Sequence, residues 1–94
     1  MQRESFEWHT DKDALNRTAH GVSFAEAQHA FLDPQRIIAV DTNHSKHEQR
    51  YFFGRVRKGI LTVRFTWRNG RIRIFGAGFW RRGKQIYETE NPLR

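Results

Sequence analysis

The chain changes its hydrophobic period twice. Between positions 10 and 34 apolar residues recur at helical spacing. "TDKDALNRTAHG" reads as a short helix with Thr10 as N-cap and Gly21 as its stop. Ser23 and Glu26 then form a capping box at the head of a stripe of Phe24, Ala27, Ala30 and Phe31, which ends at Asp33-Pro34. From residue 36 the pattern becomes that of strands. "RIIAVD" (36–41) is short and β-branched, and "HEQRYFFGRV", "ILTVRFTW" and "RIRIFGA" follow it. Lys58-Gly59 and Asn69-Gly70 separate the last three and suit two-residue hairpin loops. "RRGKQIYETEN" returns to the helical period and stops at Asn91-Pro92. The expected fold class is α+β: two N-terminal helices, a four-stranded antiparallel meander sheet and a C-terminal helix, in a single domain over residues 1–94.

The two loops also predict how the strands sort their side chains. With Asn69-Gly70 as a loop, Arg68 pairs with Arg71, Trp67 with Ile72, Thr66 with Arg73, Phe65 with Ile74 and Arg64 with Phe75. With Lys58-Gly59 as the other, Val56 pairs with Leu61, Arg55 with Thr62, Gly54 with Val63, Phe53 with Arg64 and Phe52 with Phe65. Paired residues share a side and sides alternate along a strand. One face then collects Phe52, Val56, Leu61, Val63, Phe65, Trp67, Ile72 and Ile74, a core for the helices to cover. The other collects Tyr51, Phe53, Arg55, Thr62, Arg64, Thr66, Arg73 and Phe75.

Charge makes that second face informative. Seventeen Lys and Arg oppose ten Asp and Glu, a net charge of +7. The excess lies in the second half, where no Asp or Glu occurs between residues 49 and 87. A polyanion, chiefly nucleic acid, or an acidic protein is the expected counter-charge. Arginine interleaved with Tyr and Phe suits phosphates and stacked bases. The competing reading is a face whose arginines pair with carboxylates or only keep a one-sided sheet soluble.

The remaining composition narrows the chemistry. Without Cys there are no disulfides, thiolate nucleophiles or zinc–thiolate sites. The polar start lacks the apolar region of a secretory signal, and no apolar run is long enough to span a bilayer, so a cytoplasmic protein with no membrane association is expected. His44 and His47 with Asp41 are a weak metal pattern, and no metal or cofactor is expected. Metal-free ribonuclease chemistry needs a base for the 2′-OH, cations for the phosphorane and an acid for the leaving 5′-oxygen. His20, His44, His47, Glu48, Tyr51 and Tyr87 are candidate proton carriers. Arg64 and Arg73 are candidates for transition-state charge, with Lys84 and Tyr87 contributing from the last helix and His20 for proton transfer. Arg55, Arg81 and Arg82 are candidate RNA contacts, and Tyr51 and Phe53 candidate stacking surfaces.

With these residues collected, the chain resembles the BrnT family, the toxin half of a type II toxin–antitoxin pair. "FEW", "DK", Asn16 and "HGVSFAEA" look like that family's opening block, and "DP", "DTNHSKHEQRYFFG", "LTVRFTWRNGRIRI" and a basic helix ending "IYE" follow in order. The likeness runs from about Phe6 to Glu88. It implies a RelE-like fold, a ribonuclease that halts translation, and a ribbon-helix-helix antitoxin, BrnA, whose complex with the toxin binds operator DNA. Where many members read Ser-Ala-Arg and, in the next helix, Glu, this chain has Gly76-Ala77-Gly78 and Gly83. His9 and Ala19 replace Asp and Lys. An Arg and a Glu are thus removed from the candidate catalytic groups, and "GAGFWRRGKQIYE" resembles a variant branch of the family. Gly76 and Gly78 permit a sharp turn or a close approach, and Gly83, on a stripe with Phe79 and Ile86, lets the helix lie close on its neighbour. Two other readings stay open: a non-catalytic partner that docks an antitoxin for autoregulation, and a general nucleic-acid-binding module.

Overall fold

The computed structural model describes residues 5–40 and 49–92. Strand β1 (Phe6–Trp8) leads into helix α1 (Thr10–His20) and helix α2 (Phe24–Ala27), which continues as a 3-10 helix over Gln28–Leu32. Strands β2 (Ile37–Val40), β3 (Arg50–Val56), β4 (Gly59–Arg68) and β5 (Arg71–Gly78) follow, and helix α3 (Arg81–Glu90) comes last. The expected α+β class and the meander β2 to β5 are present. The sheet, however, has five strands in the order β1-β5-β4-β3-β2, and is mixed because β1 pairs parallel with β5. Phe6-Glu7-Trp8 is too short to display a period. Its strand character comes from pairing with Ile72, Arg73 and Ile74, far away in sequence.

The helix ends follow side-chain chemistry. His9, not Thr10, caps α1: its Nδ1 accepts the Asp11 amide at 3.2 Å. Gly21 closes α1 at φ 70, its amide donating to the Arg17 carbonyl. Ser23 and Glu26 form the expected capping box. Asn16 is buried and ties α1 to the sheet. Its Nδ2 donates to the carbonyls of Val22 (2.9 Å) and Ala77 (3.0 Å), and its Oδ1 accepts the Ala77 amide (3.2 Å).

Asn69 (φ 53) and Gly70 (φ 75) make the tight loop between β4 and β5, with Arg68 opposite Arg71 as expected. The β3–β4 loop differs from expectation. Its two residues are Arg57-Lys58, and Gly59 (φ 146) opens β4 opposite Val56. The pairing therefore moves by two residues: Phe52 faces Val63 and Phe53 faces Thr62. A two-residue shift preserves side-chain sidedness, so the sorting into two faces survives. An irregularity between Arg64 and Phe65 places Arg64 opposite Gly76 instead of Phe75.

The apolar face is covered as expected except at its ends, where Trp67 stays exposed and Val56 is half-buried. Val22, Phe24, Ala27, Ala30 and Phe31 pack on Phe52, Leu61, Val63, Phe65, Ile72, Ile74 and Ala77. The cationic face was expected to be open, and part of it is not. Helix α3 lies across it, burying Phe53, Ile60 and Tyr87 in a second cluster flanked by Ile37 and Ile86. Among the described residues no helix is long and apolar enough to cross a membrane.

Candidate functional site

Helix α3 divides the cationic face into two grooves, so what seats this helix shapes the site. Gly83 allows the contact: a Cβ there would overlap Thr62 Oγ1 and stand 3.0 Å from the Phe53 ring. The far end is fixed by Asp33, from the "DP" turn. Tyr87 donates its hydroxyl to Asp33 Oδ2 (2.5 Å), the Arg55 amide donates to the same oxygen (2.7 Å), and the Gln35 amide donates to Oδ1 (2.9 Å). Burial alone pushes the Asp33 carboxyl up, but the Tyr87 hydroxyl, the two amides and the Arg55 charge together hold it below the ordinary carboxylate value. Burial raises the Tyr87 phenol, and its bond to the Asp33 carboxylate raises it further, against the opposing Arg55 charge. Asn91 Nδ2 adds a bond to the Gln35 carbonyl at 3.0 Å.

One groove is lined by Val40, Tyr51, Arg64, Trp80, Arg82 and Ile86. The Arg64 stem lies across Gly76, with Cδ 3.4 Å from where a Cβ would be. Its guanidinium sits 5.0 Å from the centre of the Phe75 ring. Arg64 Nε is buried without a hydrogen-bond partner, and Arg64 forms no ion pair, among the described residues. Tyr51 is half-buried and stacks at 6.1 Å on the buried Phe53. The second groove is lined by Arg55, Lys58, Phe79, Trp80, Arg81 and Lys84, with Glu88 at its margin.

Trp80 borders both grooves at the start of α3. Its indole lies over Gly78, where a Cβ would come within 2.6 Å of the ring. The His20 imidazole meets the indole edge-on at 5.3 Å. The glycines of "GAGFWRRG" thus have distinct tasks: Gly76 seats Arg64, Gly78 seats Trp80 and Gly83 seats the helix.

The expected site residues are brought together only in part. Arg64, Tyr51 and Arg82 share one groove, and Arg55, Arg81 and Lys84 share the other. His20 stands beside Trp80. Phe53 is 4% exposed beneath α3, so in this arrangement its ring supports the surface and offers no stacking face. Tyr87 is 3% exposed and bonded to Asp33, a helix anchor more than a groove-lining group. Arg73 lies apart at 2.9 Å from Glu7, which also pairs Arg71 at 3.7 Å. The expectation of cations without carboxylate partners therefore fails for Arg73 and Arg71, because β1 carries an acid from the opposite end of the chain. Asp41, His44, His47 and Glu48 lie outside the described residues. Among the described residues no cluster of His, Asp and Glu can hold a metal ion. The sequence reading missed Trp80, although an aromatic pair inside the cationic run "GFWRRG" was the signal available.

Comparison with known families and structures adds to this geometry. Residues 8–83 match the family model described as "Ribonuclease toxin, BrnT, of type II toxin-antitoxin system". Among solved structures, the chain is similar to the 1.1 Å crystal structure of the Brucella abortus ribonuclease toxin BrnT, with a TM-score of 0.62 and 18% sequence identity. That likeness covers 81% of this chain and 95% of the other. No curated protein matches.

Proposed function

The chain belongs to the BrnT family of ribonuclease toxins of type II toxin–antitoxin systems, and from that membership we propose that it cleaves RNA without a metal ion at the grooves beside α3. The observation that carries this reading is Arg64: a guanidinium held over Phe75 and free of ion pairs among the described residues, next to Arg82 and the start of α3. Trp80 gives α3 no side-chain cap, and it lines both grooves at the start of the helix. In this reading Arg64 neutralises the charge that builds on the phosphorane, a contribution of about 3–4 kcal/mol for a well-placed donor. Arg55, Arg81, Arg82 and Lys84 bind flanking phosphates, Tyr51 contributes a stacking face, and His20 is the candidate proton carrier. Arg73 and Tyr87 act at a distance, Arg73 through the Glu7 pair and Tyr87 by holding α3.

Family membership implies a cognate antitoxin. We infer that it is a ribbon-helix-helix protein of the BrnA type, that its binding blocks the grooves, and that operator DNA is contacted only through the complex.

Induced expression of the wild type, Arg64→Ala and Arg64→Lys, paired with cleavage of RNA by each purified protein in EDTA, tests the proposal. Growth arrest and EDTA-resistant cleavage by the wild type, abolished in Arg64→Ala, are expected. Wild-type protein that is soluble, harmless and inactive on RNA would reject it. Salt-sensitive RNA binding without cleavage would instead favour a non-catalytic binding module.

A further inference from the structure

We propose that Trp80 is a nucleobase platform: an indole face on which an unpaired base of single-stranded RNA stacks while its flanking phosphates run into the two cationic grooves. This rests on the reading of the grooves as an RNA site and adds a base-binding subsite to it. The indole is held against the Gly78 backbone and edge-on to His20, yet Trp80 keeps 36% of its surface exposed. A pre-positioned aromatic loses little freedom on stacking, and stacking tolerates any base because every base has a π-face.

Trp80 also has charge on both sides. Arg64 and Arg82 lie in one groove and Arg55, Lys58, Arg81 and Lys84 in the other, and Trp80 borders both. A strand that passes from one groove to the other around the start of α3 crosses the indole, the side chain that lines both. A duplex does not fit this arrangement, because its bases are already stacked on one another. Phe79, 41% exposed and lining the second groove, extends the aromatic surface by one position along the strand. With Phe53 buried under α3, Trp80 takes over the stacking role that the sequence pattern had suggested for Phe53.

The test uses a cleavage-resistant 2′-fluoro RNA oligonucleotide of about eight nucleotides, a length within the usual single-strand site sizes, and the same oligonucleotide with abasic positions. Binding is measured for the wild type, Trp80→Phe and Trp80→Ala across a salt series. The wild type should favour the base-bearing strand by roughly tenfold or more. Trp80→Ala should bind both strands alike, with the wild-type affinity for the abasic strand, which also reports that the grooves remain folded. Trp80→Phe should retain part of the preference. As a second readout, a Trp8→Phe/Trp67→Phe variant leaves Trp80 as the only indole of the three. Its fluorescence should be quenched by the base-bearing strand and less by the abasic one. An unaltered preference in Trp80→Ala, or a wild type that binds both strands equally, overturns the platform and leaves the RNA site standing. A wild type that binds neither strand at low salt overturns both.

Discussion

The Tyr87 hydroxyl donates a hydrogen bond to Asp33 across 2.5 Å, joining the last helix to the turn that precedes β2. The Arg55 amide meets the same carboxylate oxygen, so one acidic side chain positions α3, β3 and the start of β2 together. The grooves owe their shape to this anchor. Tyr87→Phe removes a hydrogen bond to a charged acceptor, an interaction worth about 1.5–3 kcal/mol. We expect a loss of stability of that order in chemical denaturation, together with weaker RNA binding. A variant as stable as the wild type would mean that α3 is held by packing alone.

The same pair sets a pH profile. Asp33 is held below its ordinary value of 3.8, so its contribution is complete above that pH and is lost as pH falls through the folded value. Tyr87 is held above its ordinary value of 10.0, so its contribution is complete below that pH and is lost as pH rises through the folded value. Between these limits the anchor is constant. Relative to the wild type, Asp33→Asn should lose the acid-side decline attributable to this pair, and Tyr87→Phe the alkaline-side decline. Parallel stability curves for wild type and variants would refute the assignment.

Gly83 offers a sharper test, because two effects oppose each other there. Alanine is favoured over glycine inside a helix by about 1 kcal/mol. A Cβ at this position, however, overlaps Thr62 Oγ1 and crowds Phe53, both buried. Overpacking of this kind costs about 1–3 kcal/mol, so Gly83→Ala should be destabilising overall. Thr62 Oγ1 is buried without a hydrogen-bond partner among the described residues. Thr62→Ala alone should therefore change stability little, and Gly83→Ala/Thr62→Ala should recover part of the loss. A double variant no more stable than Gly83→Ala would place the obstruction at Phe53.

Much of this arrangement is legible in the residues themselves, and the misses share a cause. The capping box at Ser23 and the Asn69-Gly70 loop are local, and both form as the pattern predicts. The β3–β4 register is off by two because Arg57-Lys58 forms the loop while Gly59 carries the positive φ as the first residue of β4. The face sorting survives, since sidedness depends only on parity. Three features depend on distant contacts: β1 beside β5, Glu7 beside Arg73, and α3 over Phe53. None leaves a periodic trace, and the third decides which aromatics remain exposed. The stripe of Phe79, Gly83 and Ile86 was readable as a helix face, but Phe79 precedes α3 and the face is aimed at the cationic side of the sheet, which the pattern did not show.

Asn16 has a stability role that no hydrophobic pattern marks. Its amide fills three hydrogen bonds with Val22 and Ala77, at the level where β5 has run past the end of β1. Asn16→Ala leaves buried backbone groups unpaired at a cost of about 1–3 kcal/mol for each group that water cannot reach. We expect a loss of about 2–4 kcal/mol in urea denaturation, larger than that of Tyr87→Phe. Asn16→Asp should also be destabilising, because a carboxylate cannot donate to the Val22 and Ala77 carbonyls. Wild-type stability in either variant would show that solvent replaces the amide.

Glu7 and Arg64 make opposite predictions for one measurement. Glu7 occupies Arg71 and Arg73, so these two cations are partly neutralised before any RNA arrives. Arg64 forms no ion pair among the described residues and should engage phosphate directly. Each phosphate contact on a single strand adds about 0.7 to the steepness of log K against log salt. Arg64→Ala should therefore flatten the slope by about 0.7. Glu7→Gln should leave it unchanged if the bound strand stays in the grooves beside α3, even though the protein gains positive charge. A slope steeper by about 0.7 or more in Glu7→Gln would mean that the RNA path extends along β5 to Arg71 and Arg73, and the footprint confined to the α3 grooves would have to be abandoned.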